Sequence, residues 1–338
     1  MPLPPAPAGG GDSVGVSTVQ IAAQGVRARR ALLSRKWRRT LWFYLFVLPW
    51  LLGFVLLWVV PLGLGFVTSL TDYDGLNLAT VRFVGLRHYV NAFTRDKDAA
   101  FSFGQTLKWT ALNLPTWMIL SFVLALILNQ NVRGKGFFRT AFFFPSIIPL
   151  VAMMWIWKIV LDRNVGLLNA AISIFRPGTA ISWLTEYGLQ GLTVIAVWSG
   201  LGWGMLIFLA GLQGVPDELV EAARIDGAGS LAIFRHVTIP LMTPVIFYVL
   251  VSGLIGSFQQ FIMPQLLAAI GGRTGAGFEV IPPRPIYLAM IHVNRQIFSF
   301  QRFGYGIALL WLLFIIVALL TVVLFRTSRY WVYTESRG

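Results

Sequence analysis

Two stretches of this chain, 187–216 and 237–272, contain no Asp, Glu, Lys or Arg. Each is longer than the ~20 residues with which an α-helix crosses ~30 Å of hydrocarbon. A backbone in lipid must satisfy its own hydrogen bonds, so such runs fold as membrane-spanning helices. Between them lies a polar segment, PDELVEAARIDGAGSLAIFRHVTIP at 216–240. It is therefore a loop held between two spans, and it reads as folded. Pro216 suits the first turn of a helix, and Asp217 and Glu218 then sit where the helix dipole favours negative charge. Good helix formers continue through Arg224. Gly227 and Gly229 interrupt as glycines do past a helix end, Ser230 is placed to cap a second short helix, and Pro240 marks the start of the next span.

Extended to the whole chain, this reading gives an all-α, polytopic membrane protein with six transmembrane helices and a folded cytoplasmic loop between the fourth and fifth. The spans fall at about 41–70, 105–130, 137–160, 188–213, 240–268 and 304–326. Residues 1–40 form an N-terminal tail, 41–326 the transmembrane domain and 327–338 a C-terminal tail. Of the 338 residues 12% are charged, against ~25% in soluble domains. Residues 1–26 are poor in charge and read as disordered. The basic cluster from Arg27 to Arg39 abuts the first span, and loop 131–139 carries Arg133, Lys135 and Arg139 with no acid. Both place the termini and the 216–240 loop in the cytoplasm. Pro49, Pro61, Pro145 and Pro149 predict kinks within spans. Lys108 and Lys158 are expected to snorkel to the interface. The long loops 71–104 and 269–303 read equally as connectors or as a docking surface for an external partner. Gly271, Gly272, Gly275 and Gly277 crowd the second of them.

Several function classes are excluded. The net charge of +14 gathers at helix ends and in one tail, which is a topology signal rather than a nucleic-acid face. There is no cysteine, hence no thiolate chemistry. His88, His236 and His292 have no ligand spacing and read as surface or interfacial residues. An intramembrane enzyme needs a catalytic pair, and neither HExxH nor paired Asp occurs in the spans. An ion-coupled secondary transporter needs intramembrane carboxylates, whereas every acid here sits in a loop or tail. No phosphate-binding G-x-x-x-x-G-K-[ST] loop is present, so any nucleotide energy comes from another subunit. Within the fifth span, LVSGLIGSFQQF at 250–261 offers Ser252, Ser257, Gln259 and Gln260. Amides near the midplane suit hydroxyl groups, and they serve equally as helix–helix glue. As a helix, this segment puts Ser257 and Gln260 on one face with Gly253 and Gly256, and Gln259 about 100° away.

EAARIDGAG at 221–229, followed by VTIP at 237–240, resembles the signature of permease subunits of binding-protein-dependent ABC importers. FVGLRHYV at 83–90, LALILN at 124–129, GKGFFRTAFFFPSIIP at 134–149, GLQGVPDEL at 211–219 and FGYGIALLW at 303–311 are similar to the carbohydrate-uptake branch. Many relatives carry Gly-Gly-Pro after the fifth span; here Gly271-Gly272 is followed by Arg273. The resemblance implies a multi-pass subunit of a bacterial inner membrane that takes up a di- or oligosaccharide. Its implied partners are a second homologous permease, two ATPase subunits that bind ATP and Mg, and an extracytoplasmic sugar-binding protein. It implies no cofactor in this chain and no catalysis by it. Glu221, Ala222, Ala223, Asp226 and Gly227 are the implied ATPase-coupling residues. Ser199, Gly200, Trp203, Gly253, Gly256, Ser257 and Gln260 match sugar contacts of the larger maltose permease subunit.

Overall fold

The computed structural model describes residues 37–130, 133–178, 180–270 and 280–333. The expectations for the tail before Trp37, the glycine-crowded stretch with Arg273, and the last five residues lie outside the described residues.

The chain divides into two compact units, residues 1–65 and 66–338. The described part of the first is helical and belongs to α1 (Trp37–Ser69). A π-turn occupies Val55–Val59, where the Val60 N–H reaches back to the Val55 carbonyl. Pro61 follows directly. Its ring clashes with the carbonyl four residues earlier and it lacks a donor, so the helix widens by one residue instead of breaking.

The second unit continues through α2 (Arg87–Thr94), α3 (Lys97–Asn129), α4 (Lys135–Phe143), α5 (Leu150–Val160), α6 (Leu167–Ser173) and α7 (Trp183–Glu186). After these come α8 (Gly188–Gln213), α9 (Asp217–Ile225), α10 (Ser230–Phe258), α11 (Ile262–Ala269), α12 (Ala289–Asn294) and α13 (Phe303–Trp331). Five helices, α1, α3, α8, α10 and α13, are long and apolar enough to cross a membrane, and α4 with α5 makes a sixth if that bent pair is one span.

Three spans differ most from the expected ones, while α1 starts four residues early and α13 runs five residues into the expected C-terminal tail. The third is bent by 96° between α4 and α5. Pro145 and Pro149 delete two donors, and Pro149 pushes Ile148 to an extended ψ of 129°, so a gentle kink becomes a corner. The second starts eight residues early, because the Asp96 carboxylate accepts the Ala99 N–H at 2.9 Å and caps α3. The fifth starts at Ser230 and ends at Phe258. The stretch before Pro240 is not a separate helix, since a second π-turn at Phe234–Thr238 carries the ladder past the proline. Gly229, not Ser230, holds the cap position.

α3 and α8 run side by side in the same direction. Trp117 donates from Nε1 to the Gly200 carbonyl at 2.9 Å, and further along Phe122 meets Phe208 edge-on at 5.2 Å. α10 runs the opposite way, with Met242 packed beside Ala125 and Leu212. α13 runs with α3, so Leu313 joins Leu114 and Leu254 in one cluster. The bundle therefore has a proximal end, carrying α9, and a distal end, where α3, α8 and α13 begin. A large apolar cluster at the distal half joins Trp109, Met154, Leu192, Ile195, Leu267 and Ile291.

The FGYG motif gains a physical reading at the distal end. The Gly304 N–H donates to the Tyr73 carbonyl at 2.9 Å, and a Cβ there would strike the Thr71 carbonyl. Only glycine lets the loop after α1 lie so close to α13.

Candidate coupling loop and substrate cavity

α9 has the form expected for a docking helix. Pro216 precedes it with ψ 128°, Asp217 and Glu218 occupy its first turn and Arg224 its last, as the dipole prefers. The helix closes when the Gly227 N–H reaches the Arg224 carbonyl and the Ala228 N–H reaches the Ala223 carbonyl. Gly227 makes this turn at φ +82°, in the left-handed region. Glu221, Ala222, Asp226 and Gly227 are exposed and Ala223 is half-buried. Ile225 is 87% exposed and Leu231 78%, an apolar display at a polar end of the bundle.

Between α3, α8 and α10 lies an open cavity of about 220 Å³. Ser199 and Gly200 from α8, Gly253, Gly256 and Ser257 from α10, and Gln260 just beyond it all line this one space. Gln260 does not sit on a continuous helix. α10 ends at Phe258 and α11 starts at Ile262, so its place in the wall comes from a break rather than a helical stripe. Gln259 is exposed and is not part of the lining.

Trp203 lies outside the lining. It is 56% exposed and packs edge-on against Phe143, with centroids 5.3 Å apart. α4 crosses that turn of α8 and takes up its side chains. The aromatic surface of the cavity comes instead from Trp109 and Trp117 of α3, joined by Asn113. Trp109 is 1% exposed, yet its Nε1 and the Oδ1 of Asn113 have no hydrogen-bond partner. Buried polar atoms left unpaired cost ~1–3 kcal/mol each, and here they border a space a ligand could fill. Their spacing of four residues, one turn of α3, was the only trace of them in the sequence.

A second polar centre was not foreseen. His292 reads from the sequence as a surface or interfacial residue, but it is 3% exposed. Its Nε2 donates to the Asp96 Oδ2 at 3.0 Å, and its Nδ1 accepts from the Tyr287 hydroxyl at 3.0 Å. Tyr305 donates to the same Asp96 oxygen at 2.7 Å, and Arg295 donates to Tyr287 at 3.1 Å. Burial pushes the His292 pKa down, against the opposing pull of Asp96. Burial would also raise the Asp96 carboxyl, but the Tyr305 hydroxyl, the Ala99 N–H and His292 together hold it below its ordinary value. Both shifts act with one sign. The unfolded chain takes up a proton that folded His292 refuses once pH drops below about 6.5, and Asp96 adds a further loss at lower pH. Thermal unfolding in detergent should therefore show a melting temperature that falls from neutral pH to about pH 5.5. His292→Asn should flatten that slope; an equal slope in both proteins would remove His292 as its source. Lys158, in the last turn of α5, donates from Nζ to the Leu267 carbonyl in the last turn of α11 at 3.3 Å.

A bundle of membrane-length helices with an exposed short helix at one end and a polar cavity between three spans has the form of a transport permease. The chain belongs to the family of binding-protein-dependent transport system inner membrane components, matched over residues 117–332. It is similar to the probable ABC transporter permease YesP of Bacillus subtilis, with 32% identity covering 87% of this chain and 92% of that protein. It is also similar to AmyD of Thermoanaerobacterium thermosulfurigenes, a probable permease for starch degradation products, with 28% identity over 86% and 94% of the two chains. Among solved structures, a bacterial alginate ABC transporter bound to its pentasaccharide-loaded periplasmic protein shares the fold. Its TM-score is 0.70 at 19% identity, covering 86% of this chain and 95% of that one.

Proposed function

We propose that this chain is the permease subunit of an ATP-driven ABC importer in a bacterial inner membrane, and that its cargo is a di- or oligosaccharide handed over by an extracytoplasmic binding protein. The carrying observation is the cavity, which collects hydroxyl, amide, indole and open backbone from α3, α8 and α10. A sugar is a ring of hydroxyls with apolar faces, and such a wall serves both. The starch-product permease AmyD supports the cargo class. The subunit pairs with a second homologous permease and two copies of an ATPase, which bind ATP and Mg. α9 is the piece the ATPase grips: Glu221 can accept charge-assisted hydrogen bonds, and Ala222 and Ala223 keep the helix slim. Closure of the ATPases moves the loop, and the cavity faces the two sides in turn. Ser199, Gly200, Gly253, Gly256, Ser257 and Gln260 are its sugar contacts, joined by Trp109 and Asn113. Trp203 contributes from the α4 side of α8 only if α4 moves away.

The test is uptake of radiolabelled oligosaccharides by cells carrying the complete set of subunits. Gln260→Ala should raise the half-saturating sugar concentration about threefold to tenfold, the worth of one neutral hydrogen bond, and exposed Gln259→Ala should change it little. The reverse order would refute the cavity assignment, and uptake of peptides or ions instead of sugars would refute the cargo.

Orientation follows from the basic flanks of α1 and of α4: both termini and α9 face the cytoplasm. In this cysteine-free chain, Ser230→Cys should resist an impermeant thiol reagent in intact cells and react after lysis. Labelling from outside would invert the topology.

A further inference from the structure

The buried polar side chains of α3 differ in what they meet. Toward its start, Gln105 donates to the Pro285 carbonyl at 2.9 Å, and the Thr106 hydroxyl accepts the Ala289 N–H at 2.8 Å. Further along, Trp117 donates to the Gly200 carbonyl at 2.9 Å. In the turn between them, three polar atoms are buried without a hydrogen-bond partner: Trp109 Nε1, Thr110 Oγ1 and Asn113 Oδ1. Trp109 and Asn113 line the open central cavity, and Thr110 is not part of that lining. An unpaired donor and an unpaired acceptor, one turn apart, thus belong to one wall of the cavity.

The two tryptophans sharpen the contrast. Both line the cavity from α3, yet Trp117 has a carbonyl to bond and Trp109 has none. The Trp109 ring is held all the same, because it is 1% exposed and belongs to the apolar cluster of Met153, Met154, Leu192, Ile195 and Leu267. Packing fixes the plane of the indole, so its N–H direction is set without a hydrogen bond. A phenyl ring would serve that cluster without burying an unpaired donor, which costs ~1–3 kcal/mol. An indole N–H only donates, and an amide oxygen only accepts. Side chains four apart on a helix stand ~5–6 Å apart at Cβ. One hydroxyl can bridge such a gap, with an N–H···O bond of ~2.9 Å on one side and an O–H···O bond of ~2.7 Å on the other. Across the cavity, the Ser199 hydroxyl already donates to the Ala196 carbonyl at 3.1 Å and is left only to accept.

We propose that Trp109 and Asn113 are the specificity-determining pair of this cavity. Together they hold one unsubstituted hydroxyl of the sugar: the indole N–H donates to its oxygen, and the Asn113 carbonyl oxygen accepts its proton. The inference rests on the sugar reading above and adds which chemical feature of the cargo is read. Gln260 and Ser257 can each donate or accept, so they adapt to an altered hydroxyl by turning over. The α3 pair has one fixed order of donor and acceptor. A sugar without that hydroxyl leaves both atoms unpaired, and one bearing a methyl group or a glycosidic bond there has no proton to give.

The test uses the complete importer with its own binding protein in vesicles. The probes are labelled maltose, maltotriose, xylotriose and arabinotriose, and then, for a sugar taken up, its analogues with a single hydroxyl removed or O-methylated. The binding protein discriminates too, so each analogue's uptake efficiency is divided by that of the intact sugar, and this ratio is compared between parent and variant permeases. The binding protein's share then cancels. Trp109→Phe and Asn113→Leu should each relax the discrimination about threefold to tenfold, at one hydroxyl position that is the same for both, and match the parent elsewhere. Trp117→Phe loses the same ring volume and also a hydrogen bond in use. It should melt lower than Trp109→Phe and keep the parent's discrimination at every position. Parental discrimination in both α3 variants overturns the pair, and so does a change spread evenly over all positions or falling at different positions in the two. Lower melting temperatures in both with parental discrimination reassign the two atoms to an internal water. A parent that takes up none of the four sugars brings down the cargo reading and the pair with it, whereas a parent that transports and variants that discriminate as it does bring down the pair alone.

Discussion

Gly227→Pro is expected to abolish sugar uptake while the chain still reaches the membrane in normal amount. The native residue stands at φ +82°, and proline is fixed near −65°. The substitution also deletes the N–H that closes α9 on the Arg224 carbonyl. The turn must open, and α9 loses its angle to α10. The damage stays local, because Gly227 is exposed and an added Cβ meets nothing within 4 Å. Gly227→Ala is the graded control: a left-handed alanine costs only ~1–2 kcal/mol, so transport should fall in part. Glu221→Ala, which removes an acceptor without touching the turn, should fall between the parent and the proline variant. Uptake, ATP hydrolysis and co-purification of the ATPase are the readouts. Parental transport in Gly227→Pro with the ATPase bound would end the claim that this loop transmits the stroke.

Gly256→Trp is expected to stop transport by filling the central cavity. Gly253 and Gly256 both line that space, yet they differ sharply in what a side chain would meet. At Gly253 a Cβ would lie 2.5 Å from the Leu114 Cδ1 and 3.2 Å from the Trp117 ring. Gly253→Ala should therefore cost packing between α3 and α10, in the range of ~1–3 kcal/mol for an overfilled core, and lower the melting temperature. At Gly256 nothing lies within 4 Å, so an indole can enter the open space without displacing a helix. Uptake should drop to background while the assembled complex keeps its melting temperature. Parental uptake with tryptophan at 256 would place the cargo path elsewhere.

How much of this could be read from the sequence depends on the distance over which each cause acts. The uncharged runs of α8 and α10 are local, and they marked the spans directly. Pro145 and Pro149 were visible too, but a corner of 96° rather than a kink depends on how α4 packs across α8. Helix starts were hidden by polarity. Lys97 and Asp98 look like a loop until Asp96 is seen to cap them, and the polar residues before Pro240 disguised the first turns of α10. Ser199, Gly200 and the α10 residues line one space and were picked out by the resemblance, whereas Trp109 and Asn113 gave no motif. They matter because they lie unpaired beside a void, which only the packed bundle reveals. His292 was misread for the same reason: its partner Asp96 lies 196 residues away, and no local pattern announces such a meeting.

The continuity of α10 carries a mechanical implication. The helix begins at Ser230, beside the docking helix, and reaches Ser257 in the cavity wall. At 1.5 Å per residue that is a rod of about 40 Å. A tilt of ~5° about one end sweeps the other by ~3–4 Å over that length, the width of a water molecule. The π-turn at Phe234–Thr238 lies near the Ser230 end, where the ladder of hydrogen bonds is widest. Part of any push is spent in bending that turn before the far end moves. If an ATPase pushes on α9 as proposed, the displacement that reaches the cavity depends on how stiff these five residues are, and stiffening them would change that gearing without altering the cavity lining.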